Sequence, residues 1–337
     1  MRPDQPGTPF QVAFDERDEE EIIDRWRSVL RSNRWSDGDC TREFEAAWSQ
    51  MCDVESVAFN NWSGGALAVL DWIDVTGETV LCPSNTFLAT PRSIEKAGGR
   101  VVFYDCNRED LCGSYDDLVR KAEAYRPKAV WLVHVGGHIA FDVERIATYC
   151  RSNDIVLIED CAHAHGASWH GRSAGTFGNA GVYSFYPTKT LSTGEGGMVV
   201  TSDPSIAKHV RSFRDYGRGS GYSIRGMNHR IDEFTAALGV VQCRRLPDIV
   251  AWKNEYARTH LDALFTERVH LPPGMKSGYY KYIVFEQLDR SSGKVYEQPC
   301  HTIWKHDVEL PNTEWIADHH WCVPISYPRN GRAHVAS

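Results

Sequence analysis

Short apolar runs rich in β-branched residues recur through the first two-thirds of the chain, at residues 56–59, 79–83, 100–105, 129–134, 155–160, 181–186 and 198–201. Between them, polar and apolar positions take up helical spacing, as in 64–72, 115–125 and 143–150, while 231–264 reads as one long, broken helical stretch. Strand-length runs alternating with helix-length segments predict a mostly parallel sheet covered on both faces. Ahead of the first run, Ile22, Trp26, Val29 and Leu30 share one helical face behind Glu19, Glu20 and Glu21. Carboxylates suit the positive end of a helix dipole, so an amphipathic helix opens the fold. Beyond a boundary near 246–252 only 279–286 and 322–325 read as strands. The expectation is an α/β fold with a large domain over 1–248 and a smaller C-terminal α+β domain over 249–337.

Composition narrows the classes. Of 337 residues, 42% are hydrophobic and 24% charged, enough for a sizeable core. The 37 basic residues face 45 acidic ones, a net charge of −8, which disfavours binding that rests on phosphate neutralisation. Nucleic acid is therefore not expected as a partner. The ten cysteines contain no C-x-x-C pair and no zinc-ligand spacing, so no metal is assigned and a reducing, cytoplasmic setting is expected. Residues 1–15 lack a basic leader and an apolar core, and no run approaches the ~18 apolar residues of a membrane span.

Two motifs carry little. Gly171-Arg172-Ser173-Ala174-Gly175 matches G-x-S-x-G, but a nucleophile elbow needs a buried strand before it and a helix after it, and polar and Gly-rich loops stand there instead. Gly217, Gly219 and Gly221 lack the spacing and preceding strand of a dinucleotide fingerprint. The informative stretch is 155–200. One apolar run ends in Glu159-Asp160, and 29 residues after Asp160 another run ends in Lys189, ahead of Gly194-Glu195-Gly196-Gly197. Ligands of open α/β sheets gather at the carboxyl ends of strands. A lysine and an aspartate there suit pyridoxal phosphate, which takes a lysine Schiff base and an acidic partner for its ring nitrogen. On spacing alone, a surface lysine and a strand-capping aspartate remain open.

A resemblance sharpens this. The segments Ile158-Glu159-Asp160-Cys161-Ala162-His163-Ala164-His165-Gly166-Ala167, Tyr183-Ser184-Phe185-Tyr186-Pro187-Thr188-Lys189 and Thr193-Gly194-Glu195-Gly196-Gly197 resemble the DegT/DnrJ/EryC1/StrS family of pyridoxal-phosphate-dependent sugar aminotransferases. So do Asn33 to Gly38 with Phe44-Glu45, Ser63-Gly64-Gly65-Ala66-Leu67, Pro83-Ser84-Asn85-Thr86-Phe87, and Gly226-Met227-Asn228-His229-Arg230 leading into Ala236-Ala237. The match runs from about residue 10 to 250 and thins beyond.

The resemblance implies a fold type I transferase in which Lys189 bonds the cofactor and Asp160 pairs with its ring nitrogen. It implies that Phe87 stacks on the cofactor ring, and that Ser63, Gly64, Gly65 and Ser184 cradle the phosphate. It also implies a homodimer with shared sites, Asn228 reaching the partner's phosphate. Two positions depart from the family's habit: Gly65 stands where Thr is usual, costing a phosphate hydroxyl, and His163 where Gln is usual. His163 is expected to meet the phenolic oxygen of the cofactor, and its titration near neutrality to alter the pH response. The chain also ends at Ser337 without the family's usual closing helix. The activity implied is transfer of an amino group from glutamate or glutamine to a keto group on a nucleotide-linked deoxysugar, in amino-sugar or natural-product biosynthesis. The alternatives are an aminocyclitol-type ketone as acceptor, a sugar dehydratase, which in such relatives has histidine in place of the lysine, and a non-catalytic regulatory homologue.

Overall fold

A computed structural model describes residues 12–288 and 291–329. The leader-free reading of 1–11 and the chain end at Ser337 lie outside the described residues. Helix α1 (Glu19–Ser32) opens the fold as the acidic first turn predicts, and α2 (Asp39–Cys52) follows. Then come β1 (Glu55–Phe59), α3 (Trp62–Ile73), β2 (Thr79–Pro83), α4 (Ala89–Lys96), β3 (Arg100–Tyr104), α5 (Tyr115–Tyr125), β4 (Ala129–Val133), α6 (Val143–Ser152) and β5 (Val156–Asp160). A small hairpin, β6 (Ser168–Trp169) and β7 (Arg172–Ser173), precedes β8 (Ala180–Ser184) and β9 (Gly197–Thr201).

The main sheet has the order β1-β9-β8-β5-β4-β2-β3. Its β8-β5-β4-β2-β3 portion pairs in parallel, and β9 runs antiparallel to both β1 and β8. Because successive strand residues face opposite sides, each strand feeds two cores. Val130, Leu132 and Leu157 join one core with Phe44 and Trp48. Ala129, Trp131 and Ile158 join the other with Val69, Leu70 and Val199. Continuous apolar strands are what burial on both faces demands.

After α7 (Pro204–Phe213), helix α8 (Glu233–Tyr256) runs unbroken through 246–252 despite Pro247 and ends in a π turn, Ala257–Leu261. Beyond it are β10 (Met275–Lys276), which pairs with β6, and β11 (Tyr282–Val284), which pairs with β12 (Trp321–Val323). The short helices α9 (Cys300–Ile303) and α10 (Pro311–His319) lie between β11 and β12 in the chain. Tyr282, Val284, Ala257, Leu261 and Ile325 form a separate small core. The sequence placed longer strands here, at 279–286 and 322–325. Only the middle of the first pairs, because Gly278 to Lys281 instead bond the turn after β4. No helix among the described residues is long and apolar enough to cross a membrane.

Candidate active site

Alternation along β5 sends its two terminal carboxylates to opposite faces. Glu159 accepts from His134 Nε2 at 2.8 Å and from the backbone N–H groups of Gly175, Phe177 and Gly178 at 2.8, 2.7 and 2.6 Å. It is a structural clamp on the loop that contains G-x-S-x-G, where the Ser173 hydroxyl donates to the Met51 carbonyl at 3.2 Å. Asp160, 4% exposed, faces the other way. Its Oδ1 accepts from Trp62 Nε1 at 3.1 Å and from the Ala162 N–H at 3.0 Å, and its Oδ2 from Thr90 Oγ1 at 2.9 Å. Burial raises its carboxyl above the ordinary aspartate range, against the Ala162 and Thr90 hydrogen bonds and the charge of Lys189.

Lys189 sits in the connection from β8 to β9, where the Phe185 N–H donates to Gly196 O at 2.9 Å and the Thr193 N–H to Phe185 O at 3.0 Å. The glycines of that connection have a steric reason: a Cβ on Gly197 would lie 2.5 Å from the Asn61 carbonyl oxygen, just before α3. The strand after the lysine thus abuts the helix that carries Ser63. The half-buried Lys189 ammonium lies 4.7 Å from the centre of the Tyr280 ring. Burial lowers it to about 8; the Asp160 charge opposes the shift and Lys281 adds to it.

Around the residues expected to cradle the phosphate, the N-terminus of α3 is already capped. Asn61 caps α3, its side chain accepting from the Gly64 N–H at 2.8 Å. The cap engages Gly64, leaving Trp62 and the exposed Ser63 to offer first-turn N–H groups without intrahelical partners. A Cβ on Gly65 would lie 2.9 Å from Val199 Cγ2 and 3.3 Å from Val182 Cγ1. Those valines fill the space a threonine side chain needs. Ser184 ends β8, and Phe87, 61% exposed, stands just before α4 with its ring open. Asn228 is exposed, its side chain accepting from the Arg230 N–H at 3.3 Å. Its loop packs on the start of α3 in the same chain, the Asn60 N–H donating to the His229 carbonyl at 2.9 Å.

His163 is buried and stacked on Tyr280, ring centres 4.0 Å apart and planes 17° from parallel, with Tyr296 parallel at 5.7 Å. Its Nδ1 accepts from the Gly136 N–H at 3.4 Å, which leaves the ring hydrogen on Nε2 as a donor. Burial, then the Lys189 charge, push its pKa well below the usual histidine range. That direction favours the neutral imidazole at neutral pH, against the titration near neutrality expected from the sequence. His163→Gln should retain activity and leave the spectral pH response of the bound cofactor between pH 6 and 8 unchanged. A displaced midpoint would mean that His163 does carry charge.

Several groups around this site had no sequence signal. Thr90 lies one helical turn beyond Phe87, and Trp62 next to Ser63, but nothing marked either as a partner of Asp160. Tyr280, Tyr296, Lys281 and Lys253 come from beyond residue 250 or just after it. Lys253 is buried, donates to the Tyr279 carbonyl at 2.8 Å, and is lowered to about 7 by burial and then by Lys281.

A model of the DegT/DnrJ/EryC1/StrS aminotransferase family matches residues 16–335. The chain belongs to this family. It is 33% identical, over 87% of its length and 86% of the relative's, to dTDP-4-dehydro-2,3,6-trideoxy-D-glucose 4-aminotransferase of Saccharopolyspora spinosa. It is 31% identical to L-glutamine:2-deoxy-scyllo-inosose aminotransferase of Streptomyces kanamyceticus, over 77% of this chain and 67% of that one. Among solved structures, DesV of S. venezuelae in complex with a ketimine intermediate superposes with a TM-score of 0.86 at 25% identity, covering 94% of both chains. Pyridoxal phosphate is the cofactor of DegT/DnrJ/EryC1/StrS aminotransferases, and the residues present fit it. Asp160 is a buried carboxylate with no ion pair among the described residues, a group that a protonated ring nitrogen would complement. Lys189 offers a largely deprotonable amine, and Phe87 an open aromatic face.

Proposed function

We propose that this aminotransferase moves an amino group from glutamate or glutamine to a keto group of a nucleotide-linked deoxysugar, in the cytoplasm. The observation that supports the reading is the pairing of β5, which ends in the buried Asp160, with β8, whose following connection contains Lys189, so that the lysine's charge acts on that carboxylate. Bound pyridoxal phosphate supplies an aldehyde for the incoming amine and a ring that accepts the electron pair when the α-proton leaves. Lys189 would be the residue that bonds the cofactor and, when its amine is free, the base that would take up the donor's α-proton and hand it on. Asp160 keeps the ring nitrogen protonated. Phe87 would offer its open ring to the cofactor, and His163, with its hydrogen on Nε2, would be the donor for the phenolic oxygen. Of the expected cradle, the Ser63 and Ser184 hydroxyls and the first-turn N–H groups of Trp62 and Ser63 would hold the phosphate, with Gly64 and Gly65 serving by letting the chain pack closely there.

A panel of nucleotide-linked keto sugars and cyclitol ketones, each offered with glutamate and with glutamine, tests this. Amination of a nucleotide-linked keto sugar is expected, read by mass of the product. Turnover of cyclitol ketones alone reassigns the acceptor to the class that the S. kanamyceticus relative acts on.

The working unit in this proposal is a homodimer, with the large domain at 1–248 and the smaller one at 249–337. Trp35, Phe87, Leu88, Tyr186, Tyr222 and Met227 are all exposed, side chains that a partner subunit could cover. Asn228 reaches the partner's phosphate, and two-fold symmetry makes the exchange reciprocal. Mixing inactive Lys189→Ala chains with impaired Asn228→Ala chains should then restore one native site per heterodimer, about half of wild-type activity per dimer by that symmetry. Heterodimers no more active than their parents place Asn228 in its own chain's site.

A further inference from the structure

The segment Gly278 to Lys281 is fastened to the turn after β4 more tightly than a connecting strand requires. The Gly278 N–H donates to Gly137 O at 2.7 Å and the Lys281 N–H to Gly136 O at 2.8 Å, with Thr190 Oγ1 donating to Gly278 O at 3.1 Å. A Cβ on Gly137 would lie 2.5 Å from the Tyr280 nitrogen, and Tyr279 adopts a positive φ of 41°, a conformation that costs a bulky residue energy. These contacts set Tyr280 against both His163 and Lys189, its hydroxyl donating to Thr188 Oγ1 at 3.2 Å.

The same ring has a second cation beside it. Lys281 Nζ lies 5.5 Å from the Tyr280 ring centre, against 4.7 Å for Lys189. Lys281 makes no ion pair or side-chain hydrogen bond among the described residues, and its charge is felt at Lys189, His163 and Lys253 as well as at Cys322. An ammonium held next to a second, reactive amine, with no carboxylate assigned to it, is arranged for an anion that arrives with a substrate.

We infer that Lys281 binds the α-carboxylate of the amino donor. This rests on the aminotransferase reading above. Distance selects the carboxylate over the other available anion, the diphosphate of the acceptor. The donor's α-carboxylate is one bond from the carbon whose amine displaces Lys189, whereas a diphosphate is separated from a keto carbon by the sugar ring. A cation sharing one aromatic ring with Lys189 is within reach of the first and too near the reacting atoms for the second.

The test uses the cofactor-loaded dimer or monomer as purified, titrated in a calorimeter with glutarate, a dicarboxylate that lacks the reactive amine, and separately with thymidine diphosphate. Lys281→Met should weaken glutarate about tenfold or more, Lys281→Arg should keep most of the affinity, and thymidine diphosphate should bind all three proteins alike. Lys281→Gln serves as the second neutral variant if the methionine form does not retain cofactor. Unchanged glutarate affinity in the neutral variants overturns the inference, as does loss of thymidine diphosphate binding in its place. The underlying reading has its own readout: if wild-type protein takes no amino group from any amino acid, seen as no change in the cofactor's absorption, it is the aminotransferase assignment that fails.

Discussion

Lys189→Ala should reduce amino transfer by roughly 10⁴-fold, the upper end of what a removed general base costs, because the same change also deletes the covalent anchor. Borohydride should fix the cofactor of the wild-type protein to a single peptide containing Lys189 and should fix none in the variant. The expectation follows from where the amine is held. Burial lowers it to about 8, so at pH 8 half of it is neutral, against about 0.3% for an ordinary lysine with a pKa near 10.5. Only the neutral amine attacks a carbonyl. Uptake of pyridoxal phosphate by the cofactor-free protein should therefore accelerate with rising pH, with a midpoint near 8. A label on another peptide, or variant turnover close to wild type, removes Lys189 from the reaction.

The strands were legible because their signals are local. A β-branched run ending in a charged residue already says where a strand stops and which end of the sheet it reaches, and residues 79–83 and 115–125 fall on elements with those same limits. Long-range geometry was not legible. Nothing in the order Asn61-Trp62-Ser63-Gly64 says that the asparagine would cap the Gly64 N–H. Gly65 reads as a missing threonine until Val182 and Val199 are seen filling the space. Burial also decides charge in ways sequence does not carry: an isolated histidine titrates near neutrality, but His163 lies buried beneath Tyr280 beside Lys189, which favours its neutral form. Tyr280 and Lys281 come from the part of the chain where the family pattern thins, and their approach to Lys189 depends on a backbone junction between residues more than 130 positions apart in sequence, Gly136 and Lys281 among them.

Asp160→Asn should leave the fold and cofactor binding intact while lowering turnover by roughly 10²–10³-fold, the range seen when one preorganised electrostatic contact is removed from a reacting centre. The hydrogen bonds tolerate the exchange. An asparagine Oδ1 can accept from Trp62 Nε1 and the Ala162 N–H as Asp160 Oδ1 does, and its amide nitrogen can donate to Thr90, whose hydroxyl then turns to Thr86 Oγ1, 2.9 Å away. What disappears is the negative charge that keeps a proton on the cofactor's ring nitrogen, and with it the ring's pull on electrons. Stability should move the other way. In the cofactor-free protein the Asp160 carboxyl is raised, chiefly by burial. The folded state therefore binds its proton more tightly than the unfolded state, and wild-type stability falls as pH climbs from the ordinary aspartate value through the raised one. The neutral amide has no such loss, so the variant without cofactor should melt at or above the wild-type temperature at pH 7, measured by scanning calorimetry. Near-normal turnover in cofactor-loaded Asp160→Asn would take Asp160 out of the mechanism, whereas a drop in turnover accompanied by lost cofactor would assign it to binding instead.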